Sequence, residues 1–327
     1  MREIVITSME AGQRMDKLLG RYLKEAPKSF LYKMMRKKNI TLNGRKADGS
    51  EKLMEGDLIR LFFSEETLAR FMGTQPSSRE IKEEFPCRRL DIIYEDEHVL
   101  FVNKPAGMLS QKSRPEDVSL VEYTIGYLLQ NGEITREDLA HFRPSVCNRL
   151  DRNTSGLVTA GKTMAGLQGL SRMLHDRTMH KYYRCLVQGE LKEPRRLAGY
   201  LAKDEARNRV TVLPEKQPDS QFIETEYVPV CRANGLTLLE VKLITGRSHQ
   251  IRAHLASIGH PIIGDAKYGN AGINERFRRK YGLKYQLLHA YRMELPQLSG
   301  ALENLSGKTV VAEVPDYFRR ITESELG

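Results

Sequence analysis

The sequence predicts an α+β fold: a mixed, largely antiparallel sheet flanked by helices, preceded by a small basic unit of helices and short strands. Three observations predict it. Beyond Gly156, strand patterns (157–160, 182–187, 236–244, 310–314) are interspersed with helical ones (165–175, 249–258), and the connections are often too short for a regular βαβ series. Residues 1–65 carry a pattern of their own. A polar stretch holding Gly73, Pro76, Ser77, Ser78 and Pro86 separates the two and reads as a linker over 66–88, leaving 89–327 for the larger domain.

In the first unit, Met15, Leu18, Leu19, Tyr22 and Leu23 recur at helical spacing, and Pro27 closes that stretch. Phe30, Leu31, Met34 and Met35 begin a second helix, whose other face carries Lys33, Arg36, Lys37 and Lys38. Residues 40–42 run as a strand into Asn43-Gly44, a strong tight-turn pair, and 58–63 reads as another strand. After the linker come strands at 91–94 and 99–103 and a helix at 120–130. No repeat or low-complexity tract interrupts the chain.

A length of 327 residues allows one large core and a small accessory domain. No run of 18 apolar residues is present to span a membrane, and the first residues lack the apolar stretch of a signal peptide. The four cysteines, Cys87, Cys147, Cys185 and Cys231, lie far apart without a Cys-x-x-Cys pair. Reduced thiols in a cytoplasm are therefore expected, rather than a zinc site or disulfides. The net charge of +10 points to a polyanionic partner, nucleic acid before membrane, against the plainer alternative of a solvated basic surface. Residues 1–60 hold 14 Lys/Arg and 8 Asp/Glu, so a surplus of +6 sits in the first fifth of the chain.

Residues 147–156 place one acidic residue, Asp151, between Arg149 and Arg152. Nearby cations favour the charged form of a carboxylate, the form that covalent or base catalysis requires. The adjoining Gly156-Leu-Val-Thr-Ala-Gly161-Lys162-Thr163 matches the phosphate-loop expression G-x-x-x-x-G-K-[ST] letter for letter. Its context fails: a polar run precedes it where a buried strand is required, and 157–160 looks like a strand interior. His249 and His254 fall roughly 140° apart on a helix, a poor metal pair.

Three segments stand out together: Asn148 to Gly156, Lys181-Tyr182-Tyr183-Arg184-Cys185-Leu186-Val187, and Thr245-Gly246-Arg247-Ser248-His249-Gln250-Ile251-Arg252-Ala253-His254 running on to Gly259–Asp265. In these the chain closely resembles the large-ribosomal-subunit branch of the RNA pseudouridine synthases. The stretch from Arg14-Met15-Asp16-Lys17 to Asn43-Gly44 resembles an S4-type RNA-binding domain, with Lys28-Ser29 where that domain usually has Ser-Arg. Asn148 stands where the synthases usually have His.

The resemblance implies Asp151 as the catalytic aspartate, Tyr183 as the active-site tyrosine and Arg252 as the basic partner of the aspartate; the apolar strand around the two tyrosines leaves Tyr182 as the expected core residue. The resemblance directs substrate binding to Arg149, Arg152, Thr154, Arg247, His249 and Gln250, and RNA contacts of the first unit to Arg14, Lys17, Lys33, Arg36, Lys37, Lys38 and Arg45. Arg247 and Arg252 lie five apart, so either could serve phosphate instead of Asp151. His254 and His260 are expected to pack or cap. Isomerising uridine breaks the C1′–N1 bond and remakes it at C5, which calls for no metal and no cofactor. A carboxylate attacks C1′ or takes a C2′ proton, and a phenol stacks on the base and accepts the C5 proton. The uridine must first be extruded from its stack. A cytoplasmic monomer acting on 23S rRNA is expected, with tRNA as the other target and a non-catalytic RNA-binding or ribosome-assembly factor as the other function.

Overall fold

The computed structural model describes residues 1–7, 10–72, 84–204 and 209–327. The first unit comprises β1 (Arg2–Val5), α1 (Met15–Tyr22), α2 (Lys28–Arg36), β2 (Ile40–Leu42), β3 (Arg45–Lys46), β4 (Leu58–Leu61) and α3 (Glu65–Met72). Its four strands run in the order β1-β4-β2-β3, all antiparallel. Asn43 and Gly44 both take positive φ (50° and 72°), the geometry of a two-residue hairpin turn between β2 and β3. Leu18, Leu19, Leu31, Met35, Ile59 and Leu61 form its core.

The expected linker needs correction at its start. Residues 65–72 form α3, and Leu68 and Phe71, three apart, are buried in the first unit's core, where Phe71 packs on Phe30 with ring centroids 4.5 Å apart. The polar average of the stretch hid this short apolar stripe. Gly73, Pro76, Ser77 and Ser78 lie outside the described residues, and residues 84–91 have no regular structure.

The larger unit contains β5 (Ile92–Glu95), β6 (Val99–Lys104), α4 (Leu120–Gln130), α5 (Asp138–His141), β7 (Ser145–Val146), β8 (Ser155–Gly161), α6 (Met164–His175), β9 (His180–Gln188), β10 (Arg195–Asp204) and β11 (Arg209–Leu213). It continues with β12 (Gln221–Ala233), β13 (Leu236–Leu243), α7 (Gln250–Ser257), α8 (Ala271–Tyr281), β14 (Leu288–Glu294), β15 (Thr309–Val311) and α9 (Asp316–Leu326). One sheet runs β11-β10-β12-β13-β9-β14-β8-β6-β5, with β15 beside β14 and β7 beside β8. Among the described pairs only β14–β8 is parallel, so the mixed, largely antiparallel α+β fold is as the sequence predicts. The strand expected at 310–314 is shorter, and β10, β11, β12, β14, α8 and α9 go beyond the elements read from periodicity.

Strand β8 accounts for the phosphate-loop look-alike. All seven of its residues are buried, so no loop is available to cradle a phosphate. Its glycines answer to packing. Gly156 has φ +114° and its Cα lies so near β14 that a Cβ would come within 2.3 Å of the Ala290 carbonyl oxygen. A Cβ on Gly161 would meet the Leu167 backbone at 2.5 Å. Lys162 pairs with Glu95 at 2.8 Å and with Glu133, and Thr163 caps α6 by accepting from Gly166 N–H.

Two buried histidines lie inside this framework. His289 on β14 is fully buried between Ser155 Oγ (2.9 Å from Nδ1) and the Ala312 carbonyl (2.9 Å from Nε2). His254 in α7 has Nδ1 3.1 Å from Thr225 Oγ1. Burial pushes both imidazoles down to about 4. The unfolded chain binds their protons near pH 6.5, so stability is full above that value and falls as pH drops towards 4. For His289 the loss is on the order of 3 kcal/mol. Urea denaturation at pH 7.0 and 4.5 should show this decline, and His289→Gln should flatten it; an equal slope in the variant would refute the assignment.

Candidate active site

The site forms where the β7–β8 loop, β9 and the start of α7 meet. Asp151 follows Leu150, which is buried in the main core, and the loop around it is tethered on every side. Ser110 Oγ accepts from Leu150 N–H and donates to its carbonyl, both at 3.0 Å. Thr154 N–H donates to the Asp151 carbonyl at 3.0 Å, and Thr154 Oγ1 accepts from Gln286 Nε2 at 2.8 Å. The buried Lys104 ammonium donates to the carbonyls of Pro105, Met108 and Arg152 at 3.0, 2.8 and 3.3 Å, clamping two loops with one cation. Asn148, in the position usually held by His, accepts from Thr159 N–H (2.8 Å) and Oγ1 and donates to the Leu157 carbonyl, bracing β8.

The cation that meets Asp151 is Arg252, from the first turn of α7. Its Nη1 donates to Asp151 Oδ2 at 2.8 Å, while Nε and Nη2 form a bidentate pair with Asp265 at 2.7 and 2.8 Å. Asp265 is 1% exposed and also accepts from the N–H groups of Lys267 and Tyr268. Burial opposes its charge, but Arg252 and these N–H groups prevail and hold its carboxyl below the usual range. Burial likewise opposes the charge of Arg252, and the two carboxylates outweigh it and raise its pKa. The Tyr268 ring lies 5.2 Å from the Arg252 guanidinium carbon.

Expectation and geometry differ for the sequence neighbours of Asp151. Arg149 is exposed, and Arg152 Nε donates to the Gly107 carbonyl at 3.1 Å, so neither forms the ion pair. Successive loop side chains diverge, whereas a helix can deliver a guanidinium from 101 residues away. Of the two arginines left open, Arg252 takes the carboxylate and Arg247 stands exposed on the cleft wall. The other Asp151 oxygen, Oδ1, has no hydrogen-bond partner among the described residues.

Tyr183 on β9 is 6% exposed, with its ring in the main core and one edge on the cleft. Burial, then the charge of Asp151, pushes its phenol up, so it rests protonated. The reading of Tyr182 as the core tyrosine is corrected: β9 turns it to the opposite face, half-buried, where its hydroxyl donates to Glu294 and Arg292 lies 3.8 Å over its ring. His249 caps α7 in the left-handed region (φ 56°), with Nε2 4.0 Å from Asp151 Oδ2 and Nδ1 3.0 Å from Tyr268 Oη. Burial, with help from Arg252 and Lys267, outweighs Asp151 and keeps this imidazole below its ordinary pKa.

Two other expected substrate contacts, Thr154 and Gln250, line the cleft with their polar groups engaged inside the fold. The Gln250 amide is buried and spends its groups on Thr245 Oγ1, Thr225 Oγ1 and the Glu224 carbonyl. Thr154 is buried under Gln286. His254 and His260 are packed, as expected, the latter against the Gln188 carbonyl.

An open cleft of about 1140 Å³ joins these groups. Eight Lys/Arg residues line it, Arg149, Arg152, Arg247 and Arg252 among them, and among the described lining residues Asp151 is the single carboxylate. Such a wall suits a polyanion that presents one reacting carbon to one carboxylate. Among the described residues no group of three or more His, Cys, Asp or Glu is arranged to hold a metal ion.

Residues 98–257 match the family described as RNA pseudouridylate synthase. The chain is 32% identical over 286 residues to the ribosomal large subunit pseudouridine synthase C of Vibrio vulnificus, covering 86% of this chain and 84% of that one. The chain belongs to the RNA pseudouridine synthase family. A ribosomal large subunit pseudouridine synthase D from Nitrosomonas europaea is 28% identical, covering 90% of this chain and 80% of that protein. Among solved structures, human RNA pseudouridylate synthase domain containing 4 superposes with a TM-score of 0.56 at 19% identity, over 71% of this chain and 91% of that one, which shows a common fold.

In this synthase the two carboxylates on Arg252 differ in exposure, and substitution should separate them. Asp265→Asn breaks a buried bidentate pair and should cost about 3–5 kcal/mol. Asp151→Asn, at a partly exposed end where Asp265 still neutralises Arg252, should cost under about 1 kcal/mol. Chemical denaturation of both variants checks this; equal losses would refute the division.

Proposed function

We propose that this RNA pseudouridine synthase isomerises a uridine of large-subunit (23S) ribosomal RNA, acting as a cytoplasmic monomer, with Asp151 as its catalytic carboxylate. The observation that carries the reading is the ion pair of Arg252 Nη1 with Asp151 Oδ2 at 2.8 Å, in a cleft whose wall is cationic and which Tyr183 also lines. The names of the bacterial relatives support the ribosomal target.

A uridine extruded from its stack enters the cleft with its phosphates against Arg149, Arg152 and Arg247. Arg252, itself fixed by Asp265, holds one oxygen of Asp151 and leaves Oδ1 towards the sugar. Asp151 attacks C1′ or takes the C2′ proton as the C1′–N1 bond breaks. The detached uracil turns against the Tyr183 ring and C5 bonds to C1′ as the Asp151–C1′ bond breaks, or as Asp151 returns its proton to C2′, while N1 gains a proton and C5 loses one. Using the charge of Asp151 in the first step removes one of the two causes that keep the Tyr183 phenol protonated, which favours its oxygen as acceptor of the C5 proton.

The first unit serves as the S4-like RNA-binding module. Arg14, Lys17, Lys33, Arg36, Lys37, Lys38 and Arg45 are all exposed on it, although Arg14 is partly neutralised by Asp16 at 3.0 Å.

Asp151→Asn should lower pseudouridine formation by about 10²–10⁴-fold while leaving RNA affinity within a few-fold of wild type. Chemical mapping of rRNA and tRNA from a strain lacking the protein identifies the target, and wild-type turnover by the variant would sink the assignment. Replacing Lys33, Arg36, Lys37 and Lys38 by Ser should flatten the dependence of log affinity on log salt by about 0.7–0.9 for each phosphate no longer neutralised. An unchanged slope would remove the first unit from the RNA interface.

A further inference from the structure

The cationic wall extends past the groups that face Asp151. Lys181 and Tyr183 are two apart on β9 and project from the same face, about 7 Å from each other along the strand. Lys181 and Arg177 line the Asp151 cleft and also a smaller cavity of about 220 Å³ that opens beside it, the two spaces sharing Leu243 and Ile244. Two cations therefore stand where the two spaces adjoin.

Unlike Arg252, these two cations are not neutralised by a carboxylate. Neither Lys181 nor Arg177 has a hydrogen bond or ion pair with a carboxylate among the described residues. Glu226 is the carboxylate that lines the smaller cavity, in register between Arg196 and Lys242, while Glu224, outside that lining, binds Arg196 at 2.7 Å. The field of Arg177 reaches Glu224, but that carboxylate keeps its closer partner. Burial first, and then the charge of Arg177, push the Lys181 ammonium below its ordinary pKa. Room for that ammonium comes from Gly246, where a Cβ would sit 3.4 Å from Lys181 Nζ. Two cations held together against their own repulsion, one of them largely desolvated, form a site that an anion stabilises.

We propose that Lys181 and Arg177 form a phosphodiester subsite that grips the RNA backbone next to the uridine facing Tyr183, an inference that rests on RNA being the occupant of the Asp151 cleft. A phosphodiester suits the position better than a free anion. The nucleoside that reaches Asp151 carries a phosphate on each side, and one pleat of β9 separates the residue facing the base from the residue facing the charge. Lysine supplies a compact point charge and arginine a planar fork, so the pair can hold both free oxygens of one phosphate.

The test uses the full-length protein and a single-stranded oligouridylate, whose binding needs no turnover. Lys181→Met and Arg177→Gln are each expected to weaken binding about tenfold, to reduce the salt slope by about one, and to raise KM for rRNA more than they lower kcat. Lys181→Arg should recover most of the affinity. Methylphosphonates flanking the central uridine should weaken wild-type binding and have little further effect on Lys181→Met. The subsite is overturned if Lys181→Met, or Lys181→Gln should the first variant not fold, binds the charged and the methylphosphonate oligomers as wild type does. If binding responds as expected but rRNA gains no pseudouridine, the proposed function fails and the subsite stands. If pseudouridine forms and the variants bind normally, the reverse holds.

Discussion

Arg252 lies between two carboxylates, and the geometry of the cleft depends on that arrangement. A guanidinium this deeply buried persists only where its charge and its N–H groups are matched. Asp265 matches it from inside the fold, with two hydrogen bonds and with support from two backbone N–H groups. The remaining nitrogen is thereby aimed at Asp151, across a separation of 101 residues. Orientation is inherited in sequence: Asp265 sets Arg252, and Arg252 sets Asp151.

The sheet supplies the rigidity this chain of contacts needs. Leu150 anchors the Asp151 loop in the main core, Lys104 gathers three carbonyls from the two loops around it, and Gly156 lets β8 approach β14 more closely than any side chain would permit. Tyr183 and Lys181 share one face of β9, so a single strand presents an aromatic ring and a cation to the same cleft. Strands position groups by register, and here register orders them along the wall.

Much of this was legible in the sequence. Apolar strand-like runs located β6, β8, β9 and β13, the Asn43-Gly44 pair located a hairpin, and the polar run before Gly156 argued correctly against a phosphate loop. The site residues Asp151, Tyr183 and Arg252 fall in three separate motifs, and the fold does bring them together. What stayed hidden was pairing at a distance. Arg149 and Arg152 looked like the partners of Asp151 because they adjoin it in sequence, yet loop geometry sends them elsewhere. Lys104, Asp265 and Lys181 are ordinary charged residues until the strands and α7 assemble around them. The signals that could have found them were slight: a lysine ending an apolar strand, an aspartate after a glycine, and a lysine two residues before a tyrosine. Helix α3 was hidden for a different reason, since Leu68 and Phe71 are two apolar residues in a stretch polar on average.

The doubled carboxylates also govern the charge state of the site through a reaction cycle. On the proposed mechanism Asp151 gives up its negative charge, either in a bond to the sugar or in taking a proton. A buried arginine paired with that group alone would then be stranded, and the step would become steeply uphill in a medium of low polarity. Asp265 remains ionised beneath it, so Arg252 keeps its counter-charge while Asp151 cycles between charged and neutral. The inner carboxylate acts as a permanent ground, and the outer one is free to change.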